Sequence, residues 1–151
     1  MTKILMVCLG NICRSPLAHG ILESLLPDTE YYVDSAGTAN YHIGESPDHR
    51  SIEVAKLNNI DISGQSARQF KISDFDTFDI IYAMDTSNYD DITKLARNSS
   101  DKSKIKLILD ANEGHSNQNV PDPYYGDFSN FETVFNLLNT SCQIIAGQLK
   151  Q

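Results

Sequence analysis

The sequence predicts an α/β fold: a single-domain, three-layer sandwich in which helices cover both faces of a parallel sheet. Three observations carry that expectation. Short apolar runs of the kind buried on both faces alternate with longer stretches that have helical apolar periodicity. At 151 residues, 40% of them hydrophobic, the chain has the size and apolar content of one domain with a real core. No Pro/Gly/Ser-rich linker, internal repeat or low-complexity tract divides residues 1–151.

The first element is the continuously apolar run from Lys3 to Leu9, a buried strand. Ser15-Pro16 then signals a helix start, with serine as cap and proline at the first helical position, and Leu17, Ile21 and Leu25 follow as an apolar stripe. Tyr31 to Ser35 is a second extended segment that stops at Ala36-Gly37. Ser46-Pro47 repeats the helix-start signal, and Ile52, Ala55 and Leu57 suit the helix behind it. Phe78 to Met84 is a third strand, followed by a helix expected to turn Ile92, Leu95 and Ala96 inward. Lys104 to Leu109 reads as a fourth strand. A polar stretch from Asp110 to about Asp127 follows, and a long loop in a compact domain is often functional. The last helix, from about Asn130 to Leu149, places Val134, Leu138, Cys142, Ile145 and Leu149 on one face.

Charge and cysteine usage narrow the function. A net charge of −8 argues against a broad nucleic-acid surface, which needs clustered Lys and Arg against phosphate. A small anion site is compatible with that charge, because one arginine and a ring of backbone amides act locally. The run Ile4 to Val7 is too short for a signal-peptide core, and no stretch approaches the roughly 20 apolar residues that span a bilayer, so no membrane contact and a cytoplasmic location are expected. Three cysteines, Cys8, Cys13 and Cys142, lack the spacing of a disulfide framework or a zinc site, which favours thiol chemistry. His19, His42, His49 and His115 show no metal-ligand spacing and are expected on the surface. No metal or other cofactor is expected.

In a parallel α/β sheet, ligands bind beyond the carboxyl ends of the strands, so the loop after the first strand draws attention. It reads Cys8-Leu9-Gly10-Asn11-Ile12-Cys13-Arg14-Ser15, then Pro16. Strand, loop and helix start is the geometry in which backbone N–H groups and a helix N-terminus converge on an anion. Gly10 and Asn11 are residue types that tolerate the left-handed conformation a tight cradle needs. The same surroundings favour a thiolate at Cys8, the nucleophilic form. Arg14 can offer two parallel N–H donors to a phosphate, and the Ser15 hydroxyl can steady the thiolate. A lone cysteine at a strand end is by default a small buried hydrophobe. Thiol, glycine, arginine and helix-start serine in this order are not accounted for that way. The loop lacks the Gly-Lys-Ser/Thr ending of a Walker loop and the three spaced glycines of a dinucleotide site.

With these residues in place, the chain resembles the low-molecular-weight protein tyrosine phosphatases. The matching segments are Val7 to Pro16, Asp34-Ser35-Ala36-Gly37-Thr38, Gly44-Glu45-Ser46-Pro47-Asp48, Ala67-Arg68-Gln69, Ala83-Met84-Asp85-Thr86-Ser87-Asn88 and Asp122-Pro123-Tyr124-Tyr125, in order over nearly the whole chain. The resemblance implies a four-stranded parallel sheet and a two-step phosphoryl transfer without metal. It implies Cys8 as nucleophile, Arg14 and the amides of the loop (Leu9, Gly10, Asn11, Ile12, Cys13, Ser15) as phosphate ligands, and Asp122 as general acid and then base. Nothing local picks Asp122 out of the 20 acidic residues. Asn11, Ser15 and Ser35 are implied to support the loop, and Tyr41, Tyr124 and Tyr125 to wall the substrate cleft. Cys13 is implied to form a reversible disulfide with Cys8 that protects the nucleophile from irreversible oxidation. Cys142 reads as core. Some members carry a histidine near Gln65; glutamine cannot titrate near neutrality, so that network role is not carried over.

The implied partners are phosphotyrosine-containing proteins, with a cognate tyrosine kinase or its targets natural in a bacterial source, and the chain is expected to be a monomer or weak dimer. Two related activities compete. An arsenate reductase of this fold needs two further mid-chain cysteines, and none lies between Ser15 and Ser141. A protein-arginine phosphatase carries threonine at the position of Ile12 and less aromatic bulk in the acid loop, so Ile12 and Tyr124-Tyr125 favour a flat aryl group. A pure phosphotyrosine-binding module would need neither Cys8 nor Asp122.

Overall fold

The computed structural model describes residues 1–112 and 119–151. Elements follow in the order β1 (Thr2–Cys8), α1 (Arg14–Leu25), β2 (Tyr31–Gly37), α2 (His49–Leu57), α3 (Asp74–Thr77), β3 (Ile80–Ala83), α4 (Thr86–Leu95), α5 (Ser99–Ser103), β4 (Ile105–Leu107), a 3₁₀ turn (Ile108–Ala111) and α6 (Phe128–Leu149). The four strands form one sheet in the order β2-β1-β3-β4, parallel throughout, as the α/β reading requires. Register aligns Cys8 with Gly37 and Val7 with Ala83, so the carboxyl ends of three neighbouring strands meet at one edge. The chain moves from β1 to β2 on one side and returns to β3 on the other. The end of β1 is therefore the switch point where such sheets bind ligands.

Strand β1 is buried on both faces, and the period-two alternation of side chains divides the core. Ile4 and Met6 pack with Leu17 and Ile21 of α1 and with Phe131, Val134, Leu138 and Cys142 of α6. Leu5 and Val7 point the other way, into Phe75, Phe78, Ile81, Ile92 and Ile105. Each fully buried aliphatic or aromatic side chain contributes about 1.5–3 kcal/mol, so the sheet is stabilised from both sides.

Several boundaries differ from the sequence reading. Helix α1 starts at Arg14 with Cys13 in the cap position, so Ser15 does not cap it. Pro16 is its third residue, a position where the missing N–H has no intrahelical partner to lose. The second helix starts not at Ser46-Pro47 but after Asp48, whose carboxylate accepts the Arg50 N–H at 2.9 Å. Asp127 caps α6 in the same way through the Ser129 N–H, which starts that helix at Phe128 rather than Asn130. Strand β3 is confined to Ile80–Ala83, and β4 ends at Leu107, where the chain tightens into the 3₁₀ turn. Leu57 and Leu95, expected inside, are exposed: each is the last residue of its helix, and Val54, Ala55 and Ile92 carry the packing instead. His115 lies outside the described residues.

Candidate active site

The loop between β1 and α1 closes on the Cys8 side chain. Cys8 Sγ accepts the Asn11 backbone N–H at 3.3 Å and lies 3.0 Å from the Ser15 hydroxyl. The backbone can turn back so sharply because Asn11 adopts φ of 59°, in the left-handed region that asparagine tolerates. Gly10, by contrast, is not left-handed. Space favours glycine there, since a Cβ would sit 3.0 Å from His42 Cδ2 and press on that ring. Gly37 at the end of β2 answers a similar demand, as a Cβ there would approach the Leu9 carbonyl oxygen to 2.7 Å.

The Asn11 side chain locks the turn. Its Nδ2 donates to Ser15 Oγ at 2.8 Å, and its Oδ1 accepts the Arg68 N–H at 3.1 Å. Ser35 is not its partner: the Ser35 hydroxyl, on β2, lies 3.1 Å from His19 Nδ1 of α1. His19 is accordingly not a surface residue but sits between Ser35 and Glu23, whose carboxyl it holds below the ordinary range through a hydrogen bond. Gln65 donates to the Pro16 carbonyl at 3.1 Å, steadying the first turn of α1.

Arg14 is 3% exposed and its guanidinium is anchored from behind. Nη1 donates to Asp85 Oδ2 at 2.6 Å and to the Val120 carbonyl at 3.0 Å. Asp85 comes from the β3–α4 junction, where its other oxygen caps α4 by accepting the Asn88 N–H at 2.7 Å. No local signal in the sequence marks Asp85 for this role, because its partner is 71 positions away. Nη2 of Arg14 reaches within 3.9 Å of Asp122 Oδ2.

These groups border one cavity of about 320 Å³. Cys8, Leu9, Gly10, Ile12, Cys13 and Arg14 form its base, Tyr41 and His42 one wall, and Asp122, Tyr124 and Tyr125 the other. The three predicted tyrosines thus do meet at the mouth, with Tyr125 91% exposed. His42, expected on the surface, lines the cavity between them, with Nδ1 2.5 Å from Glu45 Oε2 and its ring 6.4 Å from that of Tyr124. Asp122 turns one oxygen back to accept the Tyr124 N–H at 3.1 Å. Cys13 is buried; burial first, then the nearby Asp48 carboxylate, pushes its thiol well above the ordinary range. Cys142 lies in the core of α6, its thiol pushed up to about 12 by burial. Among the described residues, no helix is long and apolar enough to cross a membrane.

A thiol held among donors, a guanidinium behind it and a carboxylate across the cavity suit attack on an anionic electrophile. Comparison with known proteins points the same way. Residues 3–151 match the family model described as low molecular weight phosphotyrosine protein phosphatase. The low molecular weight phosphotyrosine protein phosphatase of Dictyostelium discoideum is 42% identical over 153 residues, covering 89% of this chain and 86% of that protein. A crystal structure of a protein tyrosine phosphatase from Entamoeba histolytica superposes with a TM-score of 0.92 at 35% identity, covering 99% and 97% of the two chains. That of an arginine phosphatase from Drosophila superposes with a TM-score of 0.91 at 30% identity, covering 99% of each. A β1–α1 loop built around Cys8 and Arg14, at the switch point of a four-stranded parallel sheet, therefore places this chain in the low molecular weight protein-tyrosine-phosphatase family.

Proposed function

We propose that the chain hydrolyses phosphotyrosine in proteins, and small aryl phosphates, through a cysteinyl-phosphate. The observation that carries this reading is that Cys8, Arg14 and Asp122 border a single cavity with aromatic walls. In the first step Cys8 Sγ attacks phosphorus, the bond to the phenolic oxygen breaks, and protonated Asp122 delivers its proton to that oxygen. Arg14, anchored by Asp85 and Val120, offers its remaining N–H groups to the equatorial oxygens together with the loop amides. In the second step Asp122 takes a proton from water, the water oxygen attacks phosphorus, and Cys8 leaves as a thiolate steadied by Asn11 N–H and the Ser15 hydroxyl.

The similarity to an arginine phosphatase supplies a second reading, in which phosphoarginine is the substrate. Ile12 at the cavity base and the edge-on pair Tyr124–Tyr125, ring centroids 5.0 Å apart, support the aryl substrate instead.

Asp122→Asn tests the mechanism through leaving-group basicity. A tyrosine phenol ionises near 10 and leaves poorly without a proton, whereas nitrophenolate is a much weaker base. Phosphotyrosine hydrolysis should slow by about 10²–10⁴-fold and para-nitrophenyl phosphate hydrolysis far less. Equal, severalfold losses on both substrates would remove Asp122 as the acid and make Asp127 the next residue to test. Cys8→Ser should abolish turnover on both substrates and retain inhibitor-analogue binding; residual aryl-phosphatase activity would remove the nucleophile assignment.

A further inference from the structure

Arg50 lies outside every motif that points to chemistry, yet its guanidinium joins the two halves of the cavity. On one side, Asp48 donates its backbone N–H to the Ile12 carbonyl of the phosphate loop at 2.8 Å. The Asp48 carboxylate, 8% exposed, takes Arg50 Nε at 3.0 Å and Nη2 at 2.9 Å. On the other side, Arg50 Nη2 donates to the Tyr124 carbonyl at 3.0 Å and Nη1 to the Gly126 carbonyl at 3.1 Å. The face of the guanidinium lies 4.4 Å from the Phe131 ring centroid and 5.7 Å from that of Tyr124. Tyr124 is therefore held at both ends of its peptide: its N–H on Asp122 and its carbonyl on Arg50.

We infer that Arg50 is a positioning residue for the general acid, a brace that fixes the distance between the Asp122 loop and the Cys8 loop. The inference rests on Asp122 being that acid. A planar fork is required for the role, because one group must serve a carboxylate, two carbonyls and a ring face at once. Lysine provides a single point charge and cannot do so. If the brace is cut, the acid loop drifts relative to the leaving oxygen, while the thiolate and phosphate ligands keep their own supports at Asn11, Ser15 and Asp85.

The test is a double-mutant cycle of Arg50→Ala with Asp122→Asn, read as kcat/KM on phosphotyrosine peptide and on para-nitrophenyl phosphate. A displacement on the order of 1 Å can cost roughly a hundredfold, so Arg50→Ala should lose about ten- to a hundredfold on phosphotyrosine and much less on the nitrophenyl ester. In the Asp122→Asn background the same change should cost almost nothing further. Inhibition by inorganic phosphate should be unchanged. Arg50→Lys and Asp48→Asn, which remove fewer contacts and guard against misfolding of the alanine variant, should show the same substrate-selective loss to a smaller degree. Equal losses on both substrates, or a loss that multiplies with that of Asp122→Asn, would overturn the brace and leave Arg50 a packing residue. If Asp122→Asn itself shows no leaving-group selectivity, the acid assignment falls and the inference falls with it.

Discussion

The pair Arg14–Asp85 is where the phosphate loop depends most on a distant part of the chain, and its perturbation can be worked from the geometry. Both Asp85 oxygens are committed as acceptors, Oδ2 to the Arg14 guanidinium at 2.6 Å and Oδ1 to the Asn88 N–H at 2.7 Å. Asp85→Asn must therefore turn its NH₂ against one of two donors. Asparagine caps as well as aspartate, so the cap keeps the oxygen and Arg14 loses its acceptor. Leaving a buried charged donor unpaired costs about 1–3 kcal/mol or somewhat more. Asp85→Ala removes both contacts. Breaking a buried ion pair costs about 3–5 kcal/mol, and a lost cap roughly 1 kcal/mol. Arg14 side-chain exposure is 3%, but that of Asp85 is 20%, and the Val120 carbonyl still serves Arg14, so the lower end of these ranges applies. We expect roughly 1–2 kcal/mol for Asp85→Asn and roughly 4 kcal/mol for Asp85→Ala by chemical denaturation, or about 2–4 °C in Tm per kcal/mol at this chain length. Inhibition by inorganic phosphate should weaken in both, because Arg14 is no longer held in its pose. Arg14→Met combined with Asp85→Ala should be less destabilised than the sum of the single changes, since an apolar pair leaves no buried charge. Variants that stay within about 0.5 kcal/mol of the wild type, the range of an ordinary surface substitution, would refute this account.

Other outcomes follow from the same site. Ile12→Thr should shift the kcat/KM ratio from phosphotyrosine toward phosphoarginine by a modest factor, because a methylene-scale change in a pocket is worth about 1–3 kcal/mol; an unchanged ratio would mean that Ile12 does not set specificity. Peroxide should inactivate the enzyme reversibly: Cys8 is oxidised to the sulfenic acid, and the Cys13 sulfur then displaces water to give the disulfide. Mass spectrometry finding Cys8 as sulfinic acid with Cys13 free would contradict this, and Cys13→Ser should no longer recover with dithiothreitol. Alkaline pH should destabilise the fold. Burial raises the Cys13 thiol, raises Cys142 to about 12 and raises the Tyr82 phenol to about 12, so the native state keeps protons that the unfolded chain releases. That contribution is complete below the ordinary thiol range and is lost as pH rises toward about 12, at ~1.4 kcal/mol per pH unit for each retained proton. Stability that stays flat between about pH 9 and pH 11 would oppose this linkage.

The sequence by itself determined the sheet and the chemistry of one loop. β1 is a continuous apolar run because it is central in the sheet, and the helices carry their stripes because each packs one face; these are local periodicities that any window of residues displays. Cys8, Asn11, Arg14 and Ser15 were legible together because a strand end, a turn and a helix start bring them together within eight positions. Asp122 and the walls Tyr41, Tyr124 and Tyr125 were legible only through resemblance. Their meeting with Cys8 depends on loops from opposite ends of the chain converging at one edge of a parallel sheet. Tertiary structure alone decided the rest. It gave Ser15 to Cys8 rather than to a helix cap, Ser35 to His19 rather than to Asn11, and placed His42 in the cleft against a glycine. Asp85 and Arg50 show the reason most plainly. In sequence they are ordinary helix-start residues, and their significance comes from partners 71 to 76 positions away, brought within hydrogen-bond reach only when the fold closes.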